Sequence, residues 1–201
     1  MCGIAGIVAL NAAAASPSRE ALMRMVGVLS HRGPDERGLY RDKRAGLAHA
    51  RLSVIDLSSG QQPLADTGDT SWIVFNGEIF NYVELREKLI ALGHRFRTRS
   101  DTEVALHAYR AWGEAAFERM NGQWAIAIWD SIAGRLVLSR DRFGICPLHF
   151  CEHAGRLYFA SEVKAIFAAD PTIPRAFDPA GLDQTFTLWT VVPPQGVFQG
   201  I

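Results

Sequence analysis

The sequence predicts an α+β fold in which two antiparallel sheets stack face to face with helices outside. Three observations carry the prediction. Helical periodicity is concentrated in the first half of the chain, tight Gly-containing turns between short strands dominate the second half, and those strands are apolar at nearly every position, as in AIAIW. A strand that is apolar on both faces must be covered on both faces, and a pair of sheets between helical layers supplies that cover.

Taken in order, Gly3 to Leu10 is rich in Ile and Val and predicts a buried strand. SPSREALMRMVGVL then changes to helical spacing, with Ser16 or Ser18 available as N-cap. HRGPDERG is turn-rich, and LAHARLSVIDL and SWIVF predict two more strands joined by an exposed loop, SSGQQPLADTGDT. NYVELREKLIALG predicts a helix whose apolar positions are Val83, Leu85, Leu89 and Leu92, stopped by Gly93. Asp101 stands ahead of TEVALHAYRAWG as the N-cap of a further helix that ends at Gly113. QWAIAIWD, RLVLSRD, PLHFCE and RLYFASE follow as strands of hairpins, turned at SIAG and HAG.

After Phe167 the composition shifts to Pro and Asp, which sets the expected domain at residues 1–170 and leaves 171–201 as a C-terminal segment. Its final stretch, PPQGVFQGI, reads as a segment leading into further chain.

With 201 residues, 48% of them hydrophobic, the chain can bury a substantial core. Lys plus Arg number 21 and Asp plus Glu number 21, so no charge surplus draws it to nucleic acid or anionic lipid. Cys2, Cys146 and Cys151 form an odd set without a CxxC pair, which predicts free thiols and a cytoplasmic location. The run GIAGIVALNAAAASPS has the look of a secretory apolar region, but the first basic residue is Arg19 and Asn11 interrupts it. No stretch reaches the roughly 20 apolar residues of a membrane span.

The start, MCGIAGIV, raises the chemical question. A thiol is nucleophilic as thiolate, and a neutral α-amine on the same residue is a well-matched proton acceptor for it. Loss of Met1 would give Cys2 that amine. Gly3 and Gly6 fit the idea by leaving room beside the sulfur. The tripeptide MCG alone is too short to be specific and by itself favours a plain strand start.

Read together, MCGIAGIV, HRGPDERG, ARLSVIDLSSGQQPL, FNGEIFNYVELREKL, SDTEV, RDRFGICPL and ASEVKAI resemble, in this order, the motifs of class II glutamine amidotransferase domains, nearest to the N-terminal half of glutamine-hydrolysing asparagine synthetases. The resemblance covers essentially the whole chain. It implies the four-layer αββα fold of N-terminal-nucleophile hydrolases, and hydrolysis of the glutamine amide through a Cys2 thioester. By the same resemblance Asn76 and Gly77 of FNGE form the oxyanion hole, Arg51 grips the α-carboxylate of free glutamine, Asp101 receives its α-ammonium, and Glu78 completes the substrate-binding set. The implied partners are L-glutamine and a C-terminal synthetase domain of the same or another chain, and the resemblance allows a homodimer. Glutamine hydrolysis implies no cofactor. ATP and Mg²⁺ are expected only in the synthetase domain, whose SGG-type loop has no match in these residues.

Arg32 to Asp35 are expected to shape the loop beside the nucleophile. Arg140 and Asp141 are expected to form a structural ion pair or a domain contact. His149, Cys151 and His153 share one strand face in the manner of metal ligands, but an ordinary hairpin surrounds them and no metal is expected. Two rival readings remain open from the sequence: a different ammonia acceptor, and a non-catalytic binding module that keeps Met1.

Overall fold

The computed structural model describes residues 1–56 and 59–201. Strand β1 (Gly3–Ala9) is followed by helix α1 (Arg19–Val28) and strands β2 (Glu36–Arg41), β3 (Ala45–Arg51), β4 (Leu64–Ala65) and β5 (Ser71–Ile79). Helices α2 (Tyr82–Ala91), α3 (Asp101–Trp112) and the short α4 (Ala116–Arg119) come next. The hairpins β6 (Gly122–Asp130) with β7 (Arg135–Arg140), and β8 (His149–His153) with β9 (Arg156–Ala160), precede α5 (Val163–Ala169) and α6 (Pro179–Leu188).

The strands form two antiparallel sheets, ordered β2-β3-β1-β9-β8 and β4-β5-β6-β7. Period-two alternation explains why they are apolar throughout. On β1, Ala5 and Ile7 pack against Leu22, Met25 and Val26 of α1 and Ile166 of α5. Ile4 and Val8 of the same strand face the other sheet, meeting Val74, Ala127 and Phe159 in the central core. Ile73, Phe75 and Ile126 of the second sheet turn outward to Leu85, Leu89 and Val104 of α2 and α3. Four layers thus enclose three apolar cores, and the expected αββα sandwich is the observed one.

Local signals set the helix ends. Ser18 caps α1 by accepting the Ala21 N–H at 3.0 Å. Before α3 the cap is Ser100, which accepts the Glu103 N–H at 3.3 Å, and not Asp101 as the sequence suggested. As the first helical residue, Asp101 accepts the Ile79 N–H at 3.1 Å, from the end of β5. In α2 the buried positions are Leu85 and Leu89 alone, while Val83 and Leu92, also expected inside, are exposed.

Three further expectations are corrected. The chain contains β2, which the turn-rich reading of HRGPDERG did not anticipate, because its Gly and charged residues form an edge strand against β3. The strand predicted through IDL stops at Arg51, and Leu57 lies outside the described residues. The loop expected to be exposed contains β4, with Gln62 and Asp66 buried; its Ser58 also lies outside the described residues. Gly3 and Gly6 serve packing: a Cβ at Gly6 would stand 2.4 Å from the Phe159 ring, and one at Gly3 would stand 3.0 Å from Leu29 Cβ. Among the described residues no helix is long and apolar enough to cross a membrane.

Candidate active site

Cys2 stands at the head of β1, and the antiparallel pairing of Gly3 with Ala50 brings the end of β3, hence Arg51, alongside it. The end of β5 supplies Asn76, Gly77 and Glu78, and the first turn of α3 supplies Asp101. All six line one pocket of about 160 Å³. Every residue singled out from the sequence for catalysis or substrate binding is therefore brought to one place.

The Cys2 sulfur lies between the backbone groups of Leu52, whose N–H donates to Sγ at 3.4 Å and whose carbonyl accepts from it at 3.5 Å. Burial raises the thiol pKa above its ordinary value, outweighing the Leu52 hydrogen bond and the positive charges of the chain start and Arg51. The group is a neutral thiol until a base takes its proton. Behind it, Arg32 donates from Nε to the Cys2 carbonyl at 2.9 Å and from Nη1 to Glu162 Oε1 at 2.9 Å. Glu162 also meets His31 Nε2 and Lys164 Nζ, each at 2.9 Å. Burial opposes the charge on Glu162, but these donors hold its pKa down to about 2. The RGPD loop thus reaches the nucleophile's backbone through Arg32. Glu162, which anchors that arginine, belongs to the ASE motif, where its spacing in the sequence reveals no partner.

Asn76 is fully buried, and neither its Nδ2 nor its Oδ1 has a hydrogen-bond partner among the described residues. Such an orphaned amide is rare, because an unmade buried hydrogen bond costs about 1–3 kcal/mol. Gly77 must be glycine: a Cβ there would stand 2.1 Å from the Gln123 carbonyl oxygen. The pair lies inside β5, opposite Ala125 and Trp124, so it is no hairpin turn. Asp101 is also buried, and burial, reinforced by the charge of the exposed Glu78, pushes its carboxyl up to about 6 against the lowering effect of backbone N–H groups. Arg51 commits Nη1 to Glu36 Oε2 at 2.8 Å and Nη2 to the Asp56 carbonyl at 2.6 Å. A guanidinium has five N–H donors, and among the described residues these two contacts use only part of them.

Gln62 and Thr102 complete the wall without having been foreseen. Gln62 Oε1 accepts the Phe75 N–H at 2.6 Å and Nε2 donates to Thr102 Oγ1 at 3.1 Å, which fixes the strand carrying Asn76. The motif GQQPL contained this residue, but spacing alone gave it no partner.

Arg140 and Asp141 do not pair with each other. Arg140 donates to the carbonyls of Cys146 (2.8 Å) and Gly144, while Asp141 accepts the N–H groups of Trp124, Phe143, Ile145 and Cys146 at 3.0–3.2 Å. Both residues shape the turn that brings Cys146 into the pocket wall. Cys151 packs in the α1–α5 core and His153 Nε2 lies 2.9 Å from the Thr172 hydroxyl. Among the described residues no three His, Cys, Asp or Glu side chains gather in a ligand-like group.

The layer order is that of the N-terminal-nucleophile hydrolase fold, and Cys2 stands at the head of its first strand. The chain belongs to the glutamine amidotransferase domain family, whose profile matches residues 1–201. It is 39% identical over 204 residues to "Asparagine synthetase [glutamine-hydrolyzing] 3" of Bacillus subtilis, which spans all of this chain and 33% of the relative. It is 42% identical over 174 residues to synthetase 1 of the same organism (86% of this chain, 28% of the relative), and 38% identical to asparagine synthetase B of Escherichia coli (86% and 31%). The chain therefore spans a third or less of the length of these relatives. Among solved structures, the fold matches glutamine phosphoribosylpyrophosphate amidotransferase of B. subtilis with a TM-score of 0.69 at 20% identity, covering 89% of this chain and 46% of the other.

Proposed function

We propose that this chain hydrolyses the side-chain amide of free L-glutamine through a thioester on Cys2 and supplies the ammonia to an ATP-dependent synthetase domain, with asparagine formed from aspartate. Once Met1 is removed, the Cys2 α-amine takes the thiol proton, and the thiolate attacks the amide carbon. The developing oxyanion is met by the Asn76 amide N–H and the Gly77 backbone N–H. The tetrahedral intermediate collapses, the proton held by the amine passes to the leaving nitrogen, and ammonia departs. Water then adds to the thioester, activated by the same amine, and glutamate leaves. Arg51 grips the substrate α-carboxylate and Asp101 takes the α-ammonium, with Glu78 adding negative charge at the rim.

The observation that supports the reading is the fully buried Asn76 amide, without a hydrogen-bond partner among the described residues, in the same pocket as the Cys2 thiol. Asp101 adds to it, because a buried carboxyl pushed up to about 6 lacks the cation that a glutamine ammonium would provide. The short span relative to the asparagine synthetases supports a synthetase domain as partner, and ATP and Mg²⁺ would belong there. We place the glutaminase domain at residues 1–170 and the lead toward that partner at 171–201, in the cytoplasm, with a homodimer among its assemblies.

Cys2→Ala is expected to abolish ammonia release from glutamine while the protein keeps its thermal unfolding transition. Intact mass of active protein is expected to lack Met1. Undiminished ammonia release by the variant, or full activity with Met1 retained, overturns the mechanism.

A further inference from the structure

A second cleft adjoins the pocket and shares Ile55 with it. Arg86, Arg97 and Arg99 line it together with Tyr82 and Phe96, against one carboxylate, Asp56. In a chain whose formal charges cancel, this is a local concentration of positive charge. Among the described residues none of the three guanidiniums has a carboxylate partner.

Two of the guanidiniums are held in place by groups that leave their charge uncancelled. Arg97 donates to the carbonyls of Ala65 and Asp66, and Arg86 lies over the Phe96 ring with Cζ 4.2 Å from its centre. Arg86 Nη1 is buried and has no hydrogen-bond partner among the described residues. A buried charged donor without an acceptor is costly, and an anion in the cleft would relieve it. Two of the neighbouring hydroxyls are already engaged: Ser59 donates to Asp56 and Thr98 to Glu103.

We propose that this cleft binds a small phosphate-bearing molecule, and that its occupancy is sensed by Arg51. Guanidiniums from α2 and from residues 97–99 offer more N–H donors than the two oxygens of one carboxylate can accept, whereas a phosphoryl group presents three. The link to the first pocket is Asp56: its carboxylate accepts the Arg99 backbone N–H at 2.7 Å and its carbonyl accepts Arg51 Nη2 at 2.6 Å. An anion that draws Arg99 into the cleft therefore shifts the residue that holds Arg51. This second half of the proposal rests on the glutamine reading; the binding half does not.

The test is calorimetric titration of the whole chain with pyrophosphate at low ionic strength. Binding is expected, weakened about tenfold in Arg86→Gln and in the exposed Arg99→Gln, and weakened by added salt. Arg99→Gln keeps the test decisive if Arg86→Gln does not fold. No binding at millimolar pyrophosphate, equal affinity in the folded variants, or malate bound as tightly as pyrophosphate overturns the site. Saturating pyrophosphate is expected to change the glutamine KM at least twofold in the wild type and not in Arg99→Gln; an unchanged KM overturns the coupling. Because the titration needs no turnover, a protein that releases no ammonia still reports on the cleft.

Discussion

Asp101 and Glu103 stand two residues apart in the first turn of α3, both buried, and their environments drive them in opposite directions. Burial favours the neutral acid in each case. At Glu103 it is overcome: the carboxylate accepts the N–H groups of Arg97 (2.8 Å) and Thr98 (2.7 Å) and the Thr98 hydroxyl (2.7 Å), with His107 Nε2 at 3.7 Å, and its pKa falls to about 2. At Asp101 burial wins, and the pKa rises to about 6. The amides repeat the contrast. Gln62 has both ends of its side chain bonded, whereas Asn76, facing the same pocket, has neither among the described residues. The saturated groups hold the scaffold, and in the proposed function the unsaturated ones receive the ligand. The two sets should therefore respond to mutation with opposite signs.

The largest expected effect is on Asn76→Ala. Losing one oxyanion donor costs about 3–4 kcal/mol in the barrier, so kcat for ammonia release should fall 10²–10³-fold with little change in the glutamine KM. An unchanged kcat would show that the orphaned amide has no part in the chemistry, and the contrast with Gln62 would lose its functional meaning.

Next is Glu103→Gln, expected to destabilise the fold by about 2–3 kcal/mol at pH 7 in denaturant melts, because it removes the charge that three hydrogen bonds were built to hold. A carboxylate whose folded pKa is depressed stabilises the fold above its unfolded pKa, so the loss should shrink as the pH falls from about 4.5 to 2. A pH-independent loss would mean that the site is held by shape and not by charge.

The smallest effect carries the opposite sign. A carboxylic acid whose folded pKa is raised weakens the fold once ionised, a penalty absent below its unfolded value near 3.8 and complete above about 6. Asp101→Asn should therefore stabilise the protein by about 1–2 kcal/mol at pH 7 while raising the glutamine KM. In the wild type the same KM should rise as the pH falls from 7 to 5, and this dependence should disappear in the variant. Loss of stability in Asp101→Asn would remove the distinction between the two carboxylates.

Much of this was legible before any coordinates. The alternation of apolar strands, the early helices and the late hairpins indicated covered sheets, and the order of short motifs indicated the family and the residues that now share one pocket. What was misread involved contacts between distant segments. Asp101 looked like a cap because cap propensity is local, yet Ser100 is equally good at capping and leaves Asp101 for the pocket. Val83 and Leu92 fit an apolar stripe, but α2 meets its sheet on a narrower line through Leu85 and Leu89. Gln62 and Glu162 carry no role legible in the sequence, since nothing near them in sequence names Phe75 and Thr102, or Arg32, as partners.

The chain by itself determined which groups could do chemistry: a thiol in second place, an amide before a glycine, an arginine and a carboxylate of suitable type. Tertiary structure decided which of them were left unsatisfied. Burial, and some of the bonds that go with it, depends on atoms brought from 22 to 130 residues away, such as Ile79 at Asp101 or Glu162 at Arg32 behind Cys2. Glu103 finds its donors locally, in Arg97 and Thr98, and so the two carboxyls diverge because both are desolvated once the layers close while only Glu103 has enough donors beside it.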